Sequence, residues 1–189
     1  MSLRPILEGI KEYESGIRAR AGFNHEHWEV HQGNSYIVGV GSFTDSLASG
    51  SYVDLGFKTP DAGEAHVVMG FIAKEAAHMA VYINCDWSGD TGVVVPAINR
   101  NLQSPNTSFL LNNAVGATFA AGGLMKGMSG FSGALAYERW TFGAKFQTTQ
   151  SSRGRAEVIL NTGTQYGIRI WSDAASNSVQ LELDWYEES

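Results

Sequence analysis

Three histidines and a carboxylate alternate with other residues in the stretch His25-Glu26-His27-Trp28-Glu29-Val30-His31. On a β-strand, alternate side chains point to the same face, so these four groups would follow one another at steps of about 7 Å. Imidazole and carboxylate groups are zinc ligands in proteins. The pattern therefore raises the question whether this stretch binds a metal ion.

The H-x-H spacing of the stretch resembles the beginning of the cupin metal site, and cupins are jelly rolls. A cupin also has a second motif, with a proline, a glycine and a histidine on a later strand. The later histidines here, His66 and His78, lie in GEAHVVMG and AAHMAVY without that motif. Same-face neighbours on a straight strand are also too far apart to bind one ion. We predict a polar strand that faces solvent or a partner and no metal site; a metalloenzyme using His25, His27 and His31 is a third hypothesis.

Other arrangements for catalysis find little support. The chain has no Gly-x-Ser-x-Gly motif, and Ser129 lies in a glycine-rich stretch with no evident base nearby. The stretch GGLMKGMSG lacks the spacing of a phosphate-binding loop. We therefore predict that the protein is not an enzyme and has no cofactor. The carboxylates considered for glycoside cleavage are Asp86, Asp90, Glu138 and Asp184, and the aromatics considered for a sugar platform are Trp28, Trp87 and Trp140.

The composition is that of a folded domain and disfavours some classes of partner. Hydrophobic residues make up 43% of the 189 residues, and the formal net charge is −6, which argues against nonspecific binding to nucleic acid or to anionic membranes. No signal peptide and no apolar run of about 18 residues is visible. We expect a soluble protein that is made in a cytoplasm, with Cys85 as a buried thiol.

Apolar and polar residues alternate along most of the chain after Gly22, as in strands with one buried face. The stretch Val179–Tyr186 alternates in this way, which predicts a strand that belongs to the core. Short strands separated by Gly and Asn turns indicate an all-β fold, an antiparallel β-sandwich or jelly roll over residues 23–189. The predicted strands are Glu26–His31, Tyr36–Val40, Tyr52–Phe57, His66–Ile72, Met79–Cys85, Phe109–Leu111, Tyr137–Phe142, Ala156–Leu160, Tyr166–Trp171 and Val179–Tyr186.

Residues 1–22 form a short N-terminal helical arm in this prediction. Four apolar residues recur at spacings of four, three and four, which indicates a helix that begins near Pro5. Gly9 and Gly16 would each cost such a helix about 1 kcal/mol, so it needs a surface to pack on. That surface is either the sandwich or a neighbouring protein. The four residues are Ile6, Ile10, Tyr13 and Ile17.

Two stretches do not fit the strand pattern. The segment from Asp86 to Val95, in contrast, is consistent with an ordinary connection between two strands. Residues Pro96–Thr107 are polar, with a proline near each end. Residues Gly116–Gly133 interleave glycines with large apolar side chains, which are costly to leave in water. We expect this second stretch to pack against another surface.

Three segments resemble a family of tailed-bacteriophage head decoration, or capsid-stabilising, proteins. They are residues 97–101 with an NRN loop, residues 152–160 with a G-R-x-E-x-I-L strand followed by an Asn-Thr turn, and residues 181–187 with a W-Y-E sequence. The resemblance extends from about Glu29 to the end of the chain and depends on the order and spacing of these short motifs. It implies a sandwich fold, association with a phage head, no catalysis and no cofactor.

We accordingly expect a structural virion protein that decorates and stabilises a tailed-phage capsid by binding the major capsid protein. It would be made in the host cytoplasm and lie on the outer surface of the capsid, as a homotrimer suited to threefold positions of the shell. The alternative is a jelly-roll module that binds glycans as an appendage of a phage head or tail. The residues expected to contact the shell or another subunit are Ile6, Ile10, Tyr13, Ile17, Phe119, Leu124, Met125, Met128 and Phe131.

Overall fold

The computed structural model describes residues 25–41, 46–89, 92–108, 124–127, 129–141, 147–148 and 157–188. Within these ranges, one helix, α1 (His25–Gln32), precedes twelve strands. The strands are β1 (Ser35–Gly41), β2 (Tyr52–Lys58), β3 (Glu64–Ala73), β4 (Ala77–Gly89), β5 (Val93–Val95), β6 (Ile98–Asn99), β7 (Leu124–Lys126), β8 (Ser129–Thr141), β9 (Gln147–Thr148), β10 (Glu157–Ile159), β11 (Gln165–Ser172) and β12 (Val179–Glu188).

The strands form two sheets, and the paired strands of both sheets run antiparallel. The first sheet has the order β10-β3-β12-β1-β6, with β9 also paired to β3, and the second has the order β5-β7-β2-β11-β4-β8. The predicted all-β sandwich is therefore confirmed. The jelly-roll connectivity and the division of the chain after residue 22 stay predictions.

One hydrophobic core fills the space between the two sheets. Because side chains alternate along a strand, every second residue of the central strands points inward. Strand β3 contributes Val67, Met69 and Phe71, and β11 contributes Ile168 and Ile170, all of them buried. Removing one such side chain from water stabilises the fold by about 1.5–3 kcal/mol. The two sheets are thus held together by the alternation visible in the sequence.

Strand β12 lies in the middle of the first sheet, between β3 and β1. On its inward face, the Trp185 ring stacks on the Tyr36 ring at 5.6 Å, and Trp185 Nε1 donates a hydrogen bond to Glu187 Oε1 at 2.8 Å. Burial, together with the charge of Glu187, raises the pKa of Tyr36 to about 12. The strand predicted for Val179–Tyr186 is therefore confirmed and is a central part of the core.

The predicted strand Glu26–His31 is wrong, because this stretch belongs to helix α1. The helix ends in a Schellman motif: Gly33 has a φ of +76°, its N–H donates to Val30 O at 3.1 Å, and the Asn34 N–H donates to Glu29 O at 2.9 Å. A glycine in this conformation can also form a turn between two strands. Gly33 and Asn34 therefore end a helix here and do not form a turn between two strands.

Strands also extend into two stretches that were predicted to be connections. Strand β4 continues as far as Gly89, and Val93–Val95 form β5. Strand β7 and the first residues of β8 lie within Gly116–Gly133. Since β7 is hydrogen-bonded between β5 and β2, pairing with neighbouring strands determines its conformation more than its own glycine-rich surroundings do.

We expect Trp185→Phe to destabilise the protein by about 1–3 kcal/mol, because it leaves a cavity and removes the N–H that Glu187 accepts. The matched control is Trp28→Phe, the same change at a side chain of α1 that is 44% exposed. For this control we expect a change within about 0.5 kcal/mol. Urea unfolding followed by far-UV circular dichroism measures both variants. Equal effects would contradict the central place of Trp185 in the core.

Candidate functional site

The polar stretch Pro96–Thr107, here called the asparagine loop, contacts the C-terminal end of α1. The last carbonyl groups of a helix have no partner within the helix and need donors from elsewhere. Two asparagine side chains of the loop donate a hydrogen bond from Nδ2 to such a carbonyl, and a third donates to the carbonyl of Gly33, directly after the helix. The bonds run from Asn101 to His31 O at 3.2 Å, from Asn106 to Gln32 O at 3.1 Å and from Asn99 to Gly33 O at 2.8 Å.

Arg100 in the same loop joins α1 to β12. Its Nη1 lies 2.5 Å from Glu26 Oε1 and 3.3 Å from both carboxylate oxygens of Asp184. Burial lowers the pKa of Arg100, but the hydrogen bond to Glu26 and the charge of Asp184 outweigh it, so that the pKa is raised on balance. Asp184, one of the acids considered for glycoside cleavage, therefore belongs to an ion pair that holds the helix on the sheet.

A second polar group, here called the histidine–glutamate cluster, consists of His25, Glu64, His66, Glu157 and Glu188. His66 Nε2 lies 3.7 Å from Glu64 Oε2 and 3.8 Å from Glu188 Oε1. On the other side of the ring, His66 Nδ1 lies 3.7 Å from Glu157 Oε1. His25 Nε2 lies 2.8 Å from Glu188 Oε1, a hydrogen-bond distance. The cluster thus connects the start of α1 to β3, β10 and β12.

The Tyr186 ring fixes the orientation of both histidines in this cluster. The His66 ring stacks on it at 4.6 Å with an interplanar angle of 13°, and the His25 ring meets it edge-on at 5.3 Å. The His66 side chain is only 13% exposed, whereas that of His25 is 57% exposed. His66 is therefore the more firmly held of the two rings.

The three histidines of the N-terminal stretch do not share one face, contrary to the strand prediction. His27 and His31 lie one helical turn apart, with their Nε2 atoms 3.0 Å from each other, while His25 contacts Glu188. The partners of His25 and His66 were missed because they meet only through the pairing of β3 with β10 and β12. No local sequence pattern indicates that pairing.

The outer face of the second sheet carries a group of ring side chains, here called the aromatic face: Tyr52, His78, Tyr82 and Trp171. Trp171 lies opposite Tyr52 on β2 and opposite His78 on β4. The His78 ring stacks on Trp171 at 4.8 Å with an interplanar angle of 10°, and the rings of Tyr52 and Tyr82 each lie 6.4 Å from it. These four rings form a continuous surface across three neighbouring strands.

Charged groups border the aromatic face. Arg169 Cζ lies 4.2 Å from the centre of the Tyr52 ring, and Arg169 Nη2 lies 3.6 Å from Asp54 Oδ2. His78 Nδ1 lies 2.9 Å from the Asp173 carboxylate. Planar apolar rings next to hydrogen-bonding groups are suited to stack against a sugar ring and bind its hydroxyls. The tryptophans considered from the sequence were Trp28, Trp87 and Trp140, whereas the ring at the centre of this face is that of Trp171.

The edges of both sheets expose aliphatic side chains. In the two strand orders, β10 and β6 are outermost in the first sheet, and β5 and β8 in the second. Each of these four strands carries an exposed aliphatic residue: Ile159 on β10, Ile98 on β6, Val93 and Val94 on β5, and Leu135 on β8. An edge strand with aliphatic side chains is able to pair with a further chain.

Most of the predicted shell contacts lie outside the described residues, as does the predicted strand Phe109–Leu111. Leu124 and Met125 have their backbone in β7, and Phe131 has its backbone in β8. Trp87 and Trp140 likewise have their backbone in β4 and β8. The predicted contacts outside the described residues are Ile6, Ile10, Tyr13, Ile17, Phe119 and Met128.

Cys85 is a buried thiol, as predicted. Burial raises its pKa to about 12, so that the thiol stays protonated near neutral pH. Gly133 on β8 passes so close that a Cβ atom there would lie 3.0 Å from Cys85 Sγ. This packing is typical of a structural cysteine.

Among the described residues, no helix has the length and apolar character needed to cross a membrane.

Comparison with known proteins adds no relative. No protein-family model, curated protein or solved structure matches the chain. The asparagine loop, the histidine–glutamate cluster, the aromatic face and the exposed sheet edges are therefore the features from which a function is inferred.

We expect Asn99→Ala to destabilise the protein by about 1–3 kcal/mol, because one side chain supplies three hydrogen bonds. Asn99 Nδ2 donates to Gly33 O and Asn106 O, and its Oδ1 accepts from the Asn101 N–H. Gln103→Ala is the control, since this exposed residue bonds the loop through its backbone N–H. Thermal unfolding checks both variants. If the two variants unfolded at the same temperature, the hydrogen bonds of Asn99 would not contribute to holding α1 in place.

Proposed function

We propose that this chain is a structural virion protein that decorates and stabilises a tailed-phage capsid by binding the major capsid protein. The observation that carries the proposal is the presence, within the described part of the chain, of exposed aliphatic side chains on β10, β6, β5 and β8, which end the two strand orders. Such an edge combines backbone hydrogen-bonding groups with an apolar surface, and both favour pairing with another protein chain. On this proposal the protein is not an enzyme.

The degree of exposure supports a role in assembly. Ile98, Ile159, Val93 and Leu135 are between 53% and 59% exposed. Monomeric proteins commonly protect their sheet edges with charged residues or proline. The exposed aliphatic residues on these strands therefore suggest that some of the edges are covered when the protein is assembled. Many equivalent copies around a shell would strengthen contacts that are individually weak.

The segments that resemble phage decoration proteins add support, because all three contribute to the first sheet. Asn99 of the NRN loop belongs to edge strand β6, Glu157–Ile159 form edge strand β10, and Trp185 lies on the central strand β12. The two edge segments of the resemblance thus carry Ile98 and Ile159, which are exposed.

The proposal extends to a homotrimer on the outer surface of the capsid. The outermost strands of the first sheet, β6 and β10, lie on opposite sides of that sheet. One edge is thus free to contact another copy of the chain while the other contacts the shell. A trimer suits the threefold positions of a shell, at which one copy meets each symmetry-related subunit.

The test is cosedimentation of the purified full chain with undecorated phage heads, with its copy number measured against the major capsid protein. We expect saturable binding at a fixed ratio. Ile98→Lys and Ile159→Lys are the informative variants, and we expect at least one of them to weaken binding by about 10- to 100-fold. This corresponds to the loss of about 1.5–3 kcal/mol from one buried aliphatic side chain.

Leu102→Lys is the matched control, because Leu102 is 85% exposed but lies in the asparagine loop and not on an edge strand. It should bind as the unchanged chain does. Light scattering measures the molar mass of each variant. A variant that is no longer a trimer has lost a contact between copies of the chain, whereas a variant that stays a trimer but binds heads weakly has lost a contact with the shell. Absence of saturable binding to heads would contradict the proposal, and so would normal binding by both edge variants.

The second candidate function, binding of glycans by a phage head or tail appendage, is favoured by the aromatic face. Its rings resemble a stacking platform, with Arg169, Asp54 and Asp173 as polar neighbours. This function requires the outer face of the second sheet to meet the sugar, whereas the first proposal requires the sheet edges. The two candidates therefore involve different residues.

If glycans bind there, we expect Trp171→Ala to abolish the signal of the full chain on a glycan array. The ring stacks in parallel with His78 and lies at the centre of the face, so its removal takes away most of the stacking surface. Trp28→Ala removes an exposed tryptophan from α1 and should leave binding unchanged. The hypothesis fails if the unchanged chain gives no signal at high concentration, or if Trp28→Ala alone removes it.

A further inference from the structure

We propose that Glu64, His66 and Glu188 bind one divalent cation of the zinc type at the end of the first sheet. One ligand atom from each of these residues lies within 4.8 Å of the other two. Pairing of β3 with β12 produces the arrangement, because Glu188 lies opposite Glu64, and Tyr186 lies opposite His66. The proposal goes beyond the role in a capsid and is independent of it.

The separations between ligand atoms are close to those of a zinc site. Zinc bonds of about 2.0–2.1 Å to nitrogen and oxygen place tetrahedral ligands about 3.3–3.4 Å apart. In the cluster, His66 Nε2 lies 3.7 Å from Glu64 Oε2 and 3.8 Å from Glu188 Oε1. Small contractions therefore suffice around His66. Both glutamates have partly exposed side chains, at 60% and 42%, and are free to make them.

Neighbouring groups already orient two of the three ligands, His66 and Glu188. A metal-binding histidine usually has a carboxylate or carbonyl next to its other ring nitrogen, which selects the tautomer. Glu157 Oε1 lies on that side of the ring, 3.7 Å from His66 Nδ1, while His66 Nε2 is directed toward Glu64 and Glu188. The stacked Tyr186 ring holds the plane of the imidazole. His25 orients Glu188 through the 2.8 Å contact between Nε2 and Oε1.

The donor set selects the class of metal. One imidazole and two carboxylates match the three-ligand zinc sites that leave a fourth position for water. Calcium requires six to eight oxygen ligands, and magnesium prefers to keep several waters. An imidazole at the best-ordered position of the cluster favours zinc or cobalt over both. The site would join β3 to β12 beside the helix.

The alternative for the same cluster is that His66 contacts the surrounding carboxylates without a metal. Metal titration separates the two. The full chain, without an affinity tag and freed of metal, is titrated calorimetrically with Zn²⁺, and Co²⁺ is used as a second probe because its visible spectrum reports coordination. We expect one equivalent to bind, with a spectrum typical of a four-coordinate site.

Variants locate the bound metal. Glu188→Gln and His66→Ala should abolish the stoichiometric step. Glu157→Gln and His25→Ala should weaken it by about 10- to 100-fold, because each removes a group that contacts a ligand residue without binding the metal itself. Circular dichroism of the metal-free variants checks their fold, and Glu188→Gln keeps the test decisive if His66→Ala does not fold.

His27→Ala is the essential control, because the His27–His31 pair offers two Nε2 atoms 3.0 Å apart and could bind the same probes. In the proposal, this variant binds as the unchanged chain does. The proposal is overturned if stoichiometric binding is absent, if it survives Glu188→Gln, or if His27→Ala removes it. The last result would assign the metal to the helix alone.

Discussion

Burial of the inward face of β12 is the constraint on which the other features of the structure depend. Leu181, Leu183 and Trp185 are fully buried between the two sheets, and strands pair along both sides of β12. The outward residues of the same strand hold the polar groups: Asp184 binds Arg100, and Glu188 contacts His25 and His66. A slip of one residue would exchange the two faces. The register that buries Trp185 therefore also determines which charges meet outside.

Helix α1 is an example of an element that depends on its surroundings. Eight residues are too few for a stable isolated helix in water, so contacts with the rest of the chain must supply its stability. They come from two directions: the asparagine loop donates to the carbonyls at its C-terminal end, and Arg100 and Glu188 bind side chains of its first turn. Each hydrogen bond contributes only about 0.5–1.5 kcal/mol, and together they fix one position of the helix.

The sequence predicted the parts of the fold that depend on alternation. Strands such as Tyr166–Trp171 and Val179–Tyr186 were found because their inward residues are apolar and regularly spaced. The stretch at His25 was wrongly predicted to be a strand because the residues that alternate there are histidines, which do not drive burial. Gly33 did not correct this prediction, since a glycine can end a helix as readily as it can form a turn between strands. The aromatic face had a usable signal, since Trp171 lies in the outward phase of a strand whose inward phase is Tyr166, Ile168 and Ile170.

The histidine–glutamate cluster lacked such a signal, because it depends on which strands pair and in which register. This dependence also separates the proposed roles in space. The cluster lies on the outward side of the first sheet, the aromatic face on the outward side of the second, and the apolar edges at the margins of both. The cluster and the aromatic face use positions out of phase with the core residues, so their side chains can change while the core alternation is kept. The proposed cation site and the proposed sugar platform therefore place no direct constraint on each other, because they lie on different sheets, whereas the cation site and one proposed subunit edge share strand β10 through Glu157 and Ile159.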